Sequence, residues 1–251
     1  MKPGISVVVP YAGSLTFAET LRSLLQQTLN RRYFGIIVVA ELGTMNPDLV
    51  VMLNATRATV FYCKRPENFN GHTAGILRNV GVSNARRRIL LFVDSDAVLA
   101  PDCLAEHFRL HRVHPDHVIC GGWRELAAHT QYILRRKSFS FEKLYDMSLR
   151  DYRAKANKLG HWENAYSGNL SVAKRLFHLV GGFDEHGHRV HDLDLGYRLF
   201  RAGAKFRYSP ECRAVHIEHP RSIISRLEQA RGWKSSGRSS RKSARMPRIV
   251  Q

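Results

Sequence analysis

The chain has 251 residues, of which 44% are hydrophobic, and this is enough for one sizeable hydrophobic core. Its 39 Lys and Arg against 21 Asp and Glu give a net charge of +18, which suits an anionic ligand or surface. No apolar run approaches the ~20 residues of a membrane-spanning helix, and the first residues show no signal-peptide pattern, so we expect a cytoplasmic protein.

The first half of the chain alternates strand-like and helix-like segments. Apolar, β-branched runs predict strands at residues 5–10, 35–41, 59–63 and 88–94. Helices are predicted after a Thr16–Glu19 capping box, after Asn46 with Pro47 in the first turn, and over residues 73–85. This alternation predicts an α/β fold with a Rossmann-like, mostly parallel sheet that helices cover on both faces.

The second half predicts a less regular arrangement. Residues 139–159 form a long amphipathic stretch, and residues 165–185 suggest a strand, a short helix and a Gly-Gly turn. Residues 191–210 suggest a helix that ends at Gly203 and is followed by a strand. Because no repeat or linker comes earlier, we expect one domain over residues 1–230 and a tail over residues 231–251.

The predicted tail is basic and poor in bulky apolar residues. It carries seven Lys and Arg and no Asp or Glu, so it cannot bury enough surface to fold, and we expect it to be disordered. Such a tail could make peripheral contact with an anionic membrane, at about 1 kcal/mol per basic residue. It could also touch nucleic acid nonspecifically, or have no dedicated partner.

The end of the fourth predicted strand carries the strongest chemical signal, because an apolar run gives way there to Asp94, Ser95 and Asp96. Parallel sheets bind ligands at the carboxyl ends of their strands. Two carboxylates one residue apart suit a divalent cation that bridges a diphosphate, although Asp-x-Asp also occurs in plain surface turns. Since the sequence has no glycine-rich phosphate loop, basic side chains such as Arg78 would share in holding a nucleotide.

Five motifs occur in a specific order: SVVVP, ILRNVGVSNARRRILLFVDSDA, SGNLSV, GGFDE and HDLDLGYRL. Together, over residues 5–220, they resemble the nucleotide-sugar glycosyltransferases of the GT-A fold, glycosyltransferase family 2 with its chondroitin-polymerase-like relatives. The resemblance implies metal-dependent transfer of a sugar from a nucleotide-diphosphate donor, a UDP-sugar, to an acceptor hydroxyl with inversion. The acceptor stays open between a glycan, a lipid-linked sugar, a protein and a small molecule.

The resemblance also implies roles for individual residues. The donor nucleotide would be bound by Pro10, Tyr11, Glu41, Arg78, Asp94 and Ser95. The metal would be held by Asp94, Asp96 and His216, and the imidazole favours Mn²⁺ over Mg²⁺. The base that takes the acceptor proton would be Asp192. The acceptor or the donor sugar would be bordered by Trp162, Gly168, Asn169 and His191.

Two departures from the family pattern are visible. The family has a Glu-Asp pair where this chain has His191 and Asp192, which leaves the type of acceptor open. The family also has Asp-Asp-Gly-Ser after the second strand, where this chain keeps a single carboxylate, Glu41.

Simpler interpretations stand beside these roles. Asp192 could be an acid that the dipole of a helix N-terminus stabilises, and His216 or Trp162 could be a core residue. As a rival function, HGHRVHD is similar to the metal loop of metallo-β-lactamase-like hydrolases, with ligands at His186, His188 and His191, although Val190 replaces the aspartate of that loop. Nucleic-acid binding rests on charge alone, because no recognition motif is present, so no specific nucleic-acid partner is expected.

Overall fold

The computed structural model of the protein describes residues 2–67, 69, 71–126, 140–148, 161–186 and 191–217. The strands in these residues are β1 (Lys2–Tyr11), β2 (Phe34–Glu41), β3 (Thr59–Cys63), β4 (Arg87–Val93), β5 (Ala97–Leu99), β6 (His117–Leu126), β7 (Asn169–Ala173) and β8 (Lys205–Ile217). The helices are α1 (Phe17–Leu25), α2 (Pro47–Thr56), α3 (Ala74–Ser83), α4 (Cys103–Val113), α5 (Phe141–Met147), α6 (Lys174–Leu179) and α7 (His191–Arg201). Short 3₁₀ turns lie at Arg31–Tyr33 and Trp162–Asn164.

In the described part of the chain the strands form one eight-stranded sheet in the order β3-β2-β1-β4-β7-β6-β8-β5. Strands β3, β2, β1 and β4 run parallel to one another, and β6 and β8 are also parallel. Strand β7 is antiparallel to both of its neighbours, and β5 is antiparallel to β8. The predicted α/β architecture with a mostly parallel sheet is therefore confirmed.

Each face of the sheet has its own hydrophobic core. One core includes Val7 and Val9 of β1 and packs against α1, α2 and α4. The other core includes Val8 of β1 and packs against α3, α6 and α7. Because successive side chains of a strand point to opposite faces, a strand that is apolar at every position must be covered from both sides. This arrangement confirms the prediction of helices on both faces.

The helix α3, which carries Arg78, lies unusually close to the sheet. A Cβ atom added to Gly81 would lie 2.4 Å from the Cγ1 atom of Val8. Glycine is therefore needed at this position for the close approach of helix and strand. Glycine lowers the helix propensity of α3, but at Gly81 it is needed for packing against the sheet.

Most of the predicted elements are confirmed, with one capping error. The side chain of Asn46 accepts a hydrogen bond from the backbone nitrogen of Leu49 at 2.9 Å, as the predicted N-cap of α2 requires. The predicted capping box of α1 is wrong, because Thr16 makes no side-chain cap bond and Glu19 pairs with Arg22 instead. Thr16 has φ −101° and ψ 7°, whereas a capping hydroxyl is presented from extended backbone.

In the second half, the predicted strand, short helix and Gly-Gly turn correspond to β7, α6 and two glycines of positive φ, Gly181 and Gly182. The helix α7 ends before Gly203, whose φ is +83°, as predicted. Strand β5, helix α4 and strand β6 were not predicted. Of the amphipathic stretch 139–159, the structure describes residues 140–148, which include α5. The predicted tail 231–251 lies outside the described residues. No helix in the described ranges combines the length and the apolar character that crossing a membrane requires.

Candidate functional site

A cavity of about 650 Å³ opens at the carboxyl ends of β1 and β4 and at the start of α7. This is the edge at which parallel α/β sheets bind ligands. The cavity brings together predicted site residues from five regions of the chain, namely Pro10, Arg78, Asp94, Ser95, Asp96, His191, Asp192 and His216. It is also lined by residues that were not predicted, among them Arg65, His72, Thr73 and Tyr166.

The carboxylate of Asp94 is held from two sides. The Nη2 atom of Arg78 donates to its Oδ1 atom at 2.5 Å, and the hydroxyl of Tyr166 donates to its Oδ2 atom at 3.3 Å. Burial raises the pKa of Asp94, and the positive charge of Arg78 opposes that rise. Since both oxygens already accept hydrogen bonds from protein groups, Asp94 is less free to bind a cation than its position in the motif suggests.

Asp96 and His216 lie side by side in the cavity wall. Strand β5 pairs with β8 so that Ala97 lies opposite His216, and the Nε2 atom of His216 is 3.3 Å from the Oδ2 atom of Asp96. The indole of Trp123 stacks on the imidazole at 5.1 Å between ring centroids and fixes its plane. Burial alone would lower the pKa of His216, but the hydrogen bond and charge of Asp96, with the charge of Asp94, outweigh it and raise this pKa.

Asp192 lies in the first turn of α7. The hydroxyl of Ser167 donates to its Oδ1 atom at 2.5 Å, and the Nε2 atom of His191 lies 3.1 Å from the same oxygen. Burial works to raise the pKa of Asp192, but the contacts with His191, Arg78 and Ser167 outweigh burial and lower it. Asp192 is therefore a carboxylate at neutral pH, as a group that takes up a proton must be.

Glu41 lies behind the cavity and orients two residues that line it. The guanidinium of Arg65 donates to both carboxylate oxygens, at 2.9 and 3.4 Å, and the hydroxyl of Thr73 donates at 2.9 Å. Burial favours a higher pKa for Glu41, but these two partners outweigh it and lower the pKa. The sequence held no motif for Arg65, because its role depends on the approach of the loop after β3 to the end of β2.

Besides Glu41, four residues predicted to contact the nucleotide or the sugar lie away from the cavity wall. The ring of Tyr11 is 3% exposed and stacks on Phe17, with 4.5 Å between the ring centroids. Trp162 packs edge-on against Tyr197, with ring centroids 5.4 Å apart. Each ring covers another side chain of the fold, and the binding roles of Tyr11 and Trp162 stay predictions.

Gly168 and Asn169 also act within the fold. A Cβ atom on Gly168 would lie 2.4 Å from the ring of Tyr166, so this glycine lets Tyr166 reach Asp94. Asn169 is 1% exposed and donates to the carbonyl oxygens of Gly122 and Cys212 at 3.1 and 2.7 Å. The close packing and the interior hydrogen bonds explain both residue types, and contact of either residue with a sugar stays a prediction.

The histidine cluster of the rival hydrolase interpretation is not assembled in the described part of the chain. His186 is exposed and contacts Asp184, whereas His191 is turned toward Arg78. His188 lies outside the described residues. Within the residues that the structure describes, no group of three or more His, Cys, Asp or Glu side chains is arranged to hold a metal ion.

The same finding bears on the predicted metal set. Asp94, Asp96 and His216 do not form a three-ligand group, because Arg78 and Tyr166 hold Asp94. Asp96 and His216 remain as a carboxylate oxygen and an imidazole nitrogen that face each other at the cavity, and this donor pair suits Mn²⁺. Divalent ions at phosphate sites are commonly bound by one or two protein groups together with phosphate oxygens and water. The pair therefore fits a metal that a diphosphate completes.

Residues 6–220 of the chain match glycosyltransferase-like family 2. The chain is 28% identical, over 265 aligned residues, to an uncharacterized glycosyltransferase, YfnE, from Bacillus subtilis. That alignment covers 88% of this chain and 66% of YfnE, so the chain spans slightly less than two thirds of that relative.

Two solved structures are similar in fold. S. aureus TarS 1–349, in complex with UDP-GlcNAc, has a TM-score of 0.63 and 16% identity, over 86% of this chain and 59% of that one. The mannosyltransferase PcManGT from Pyrobaculum calidifontis, in complex with GDP-Man and Mn²⁺, has a TM-score of 0.61 and 15% identity, over 98% of this chain and 66% of that one. These likenesses concern the fold alone, and they confirm the predicted GT-A architecture.

Proposed function

Because the chain belongs to glycosyltransferase-like family 2, we propose that it transfers a sugar from a nucleotide-diphosphate donor to an acceptor hydroxyl. The observation that carries this proposal is one cavity in which Asp96 of the β4–β5 turn, His216 of β8 and Asp192 of α7 meet. Such a cavity offers a place for a charged diphosphate and, beside it, an ionised carboxylate for the acceptor proton.

A divalent cation, Mn²⁺ or Mg²⁺, would be held by Asp96 and His216. When bound there it would supply positive charge to the diphosphate and so stabilise the leaving group. The stacking of Trp123 on His216 holds the imidazole in place for this contact. The order of preference, Mn²⁺ before Mg²⁺, follows from the nitrogen ligand, since Mg²⁺ prefers oxygen.

Asp192 is proposed as the base. As the acceptor oxygen attacks the anomeric carbon, its O–H bond breaks and the proton moves to the carboxylate of Asp192. A new carbon–oxygen bond forms while the bond from the anomeric carbon to the phosphate oxygen breaks on the opposite face, which inverts the centre. The hydrogen bond from Ser167 to the Oδ1 atom orients the carboxylate before the acceptor arrives.

The nucleobase end of the donor would lie near Arg65, which Glu41 holds against the cavity together with Thr73. A guanidinium in that position can donate to the carbonyl oxygens of a base. We propose a UDP-sugar as the donor; the support is the resemblance of the motifs and the fold shared with a protein solved with UDP-GlcNAc. The acceptor remains one of four classes, namely a glycan, a lipid-linked sugar, a protein or a small molecule.

The experiment is a thermal-shift panel of UDP, GDP and their sugar conjugates, each with and without Mn²⁺. A specific ligand raises the melting temperature by mass action. At a ligand concentration 100-fold above Kd, the free energy of unfolding rises by about 2.7 kcal/mol. We expect UDP to stabilise the protein when Mn²⁺ is present and to do so much less with EDTA. Stabilisation by GDP alone would reassign the donor, and no response to any nucleotide would overturn the proposed function.

A further inference from the structure

The guanidinium of Arg78 is buried and joins two parts of the candidate site. Its side chain is 4% exposed, and the ring of Phe183 lies 5.3 Å from the guanidinium carbon. The Nη2 atom donates to Asp94, and the Nη1 atom lies 2.8 Å from the Nε2 atom of His191. One side chain of α3 therefore connects the end of β4 with the start of α7.

The contact between Arg78 and His191 decides which ring nitrogen of His191 carries the hydrogen. A guanidinium has five N–H donors and no acceptor, so the Nε2 atom of His191 must accept. The hydrogen of the neutral imidazole is then on Nδ1. A protonated imidazole would direct a second N–H at the guanidinium, so Arg78 favours the neutral ring.

This assignment matters for Asp192, whose Oδ1 atom lies 3.1 Å from the same Nε2 atom. In the Nδ1–H tautomer His191 has no Nε2 proton to give to Asp192, so the groups that keep Asp192 ionised are then the charge of Arg78 and the hydroxyl of Ser167. The carboxylate then accepts from Ser167 and keeps its capacity for an incoming proton. Without Arg78, His191 could become an Nε2–H donor or an imidazolium paired with Asp192, and that partner would weaken the base.

We infer that Arg78 is a positioning residue for the base, Asp192. Arg78 acts by fixing the tautomer of His191 and not by binding the donor diphosphate with its Nη atoms. The inference rests on the proposed role of Asp192. It differs from the role that the family resemblance implied, because the side chain is 4% exposed and one N–H of each Nη atom already points at a protein group. The Nε atom is buried and has no hydrogen-bond partner among the described residues.

The tautomer is measured directly on protein labelled with ¹⁵N-histidine. The imidazole nitrogen shifts of His191, assigned by their loss in His191→Gln, should report an unprotonated Nε2 and a protonated Nδ1 in the wild type. In Arg78→Met the Nε2 atom should become protonated. A wild-type spectrum with a proton on Nε2 overturns the inference whether or not the enzymatic activity has been found.

Kinetics separate positioning from donor binding. We expect Arg78→Met and Arg78→Lys to lose roughly 10²-fold in kcat, the lower end of what a base contributes, with donor KM changed little. Lysine keeps the charge but carries it on a single nitrogen, so it should not restore the hydrogen bonds to both Asp94 and His191. Added guanidinium should partly restore kcat in Arg78→Ala.

The matched control is Arg198→Ala, because Arg198 is a partly buried guanidinium of α7 that pairs with Asp194 away from the cavity. It should keep the wild-type kcat and show no response to guanidinium. A raised donor KM with unchanged kcat in Arg78→Met would assign Arg78 to the diphosphate and overturn the inference. A wild-type protein that transfers no sugar would instead overturn the proposed function, and the nitrogen shifts would still decide the tautomer.

Discussion

The Nε2 atom of His216 lies 3.3 Å from the Oδ2 atom of Asp96, and both side chains border the cavity at the carboxyl edge of the sheet. The contact exists because the short strand β5 pairs with β8 immediately after the Asp94–Asp96 turn. An acidic motif that is ambiguous in the sequence is thereby paired with a nitrogen ligand from the end of the described chain. The pair is the structural basis for the proposed metal.

Removing either member of this pair should abolish metal-dependent binding. For Asp96→Ala and His216→Ala we expect transfer to fall by about 10³-fold, since several kcal/mol of charge stabilisation are lost. Calorimetric titration of Mn²⁺ in the presence of UDP should show no binding. Asp102→Ala serves as control, because this acid lies beside Arg213 and outside the cavity. Full activity of Asp96→Ala, or of the wild type in EDTA, would contradict the metal proposal.

Replacing the proposed base should separate binding from chemistry. Asp192→Asn keeps the size of the side chain and the contact with Ser167, so nucleotide binding should persist while transfer falls by about 10²- to 10⁴-fold. Single-turnover transfer and a UDP titration measure the two properties. Asp194→Asn, on the same helix, should transfer sugar as the wild type does, because Asp194 pairs with Arg198 outside the cavity. An active Asp192→Asn enzyme would move the base to another residue.

A methyl group at Gly168 should disturb the site from inside the fold. Its Cβ atom would lie 2.4 Å from the ring of Tyr166 and 2.6 Å from that of Trp123, and the ring of Tyr166 would have to move away from Asp94. We expect Gly168→Ala to lower the free energy of unfolding by about 1–3 kcal/mol, the usual cost of overpacking. Urea denaturation and transfer assays test this. Gly35→Ala is the control, because nothing lies within 4 Å of its added Cβ.

Stability should fall in mild acid because of a buried histidine pair. His107 is hydrogen-bonded to Ser171 and Asn169, and burial lowers its pKa to about 4; burial also lowers the pKa of His111 to about 3. Because the unfolded chain titrates near the ordinary value, it binds more protons as pH falls from about 6.5 toward 4. The free energy of unfolding should therefore drop by up to about 1.4 kcal/mol per pH unit for each histidine.

Urea denaturation at a series of pH values measures this slope. His107→Gln should make the curve shallower between pH 6.5 and 4, even though it also lowers stability at neutral pH by removing a hydrogen-bonded core residue. His178→Gln, at an exposed histidine of α6, is the control for the substitution itself. An equal slope in His107→Gln and the wild type would show that acid acts through other groups.

The basic tail at residues 231–251 should bind anionic membranes. Its seven Lys and Arg predict an attraction of about 1 kcal/mol each near the surface of vesicles that contain phosphatidylserine. Co-sedimentation should detect this at low salt, and binding should weaken as salt shortens the range of the interaction. Truncation before Arg231 should remove it, with neutral vesicles as control. Equal binding of full-length and truncated chains would leave the tail without this role.

The strands of the first half, most of the helices and the order of the site motifs could be predicted from local patterns. Apolar runs such as residues 88–93 identify a buried strand, and Asn46 with Pro47 identifies a helix start, because these signals depend on neighbouring residues. Strand β6 and helix α4 were missed. The capping box at Thr16 failed because a motif specifies which residues are present and leaves the backbone angles open.

By itself, the sequence determined the α/β class, the acidic turn at Asp94–Asp96 and the family to which the chain belongs. Only the tertiary structure decided which side chains share the cavity: it brought Arg65 to Glu41, engaged Arg78 with Asp94 and His191, and turned Asn169 into the interior. The physical reason is that secondary structure and motifs follow from short-range patterning. Hydrogen-bond partners follow from strand pairing and helix packing between segments that are distant in the chain.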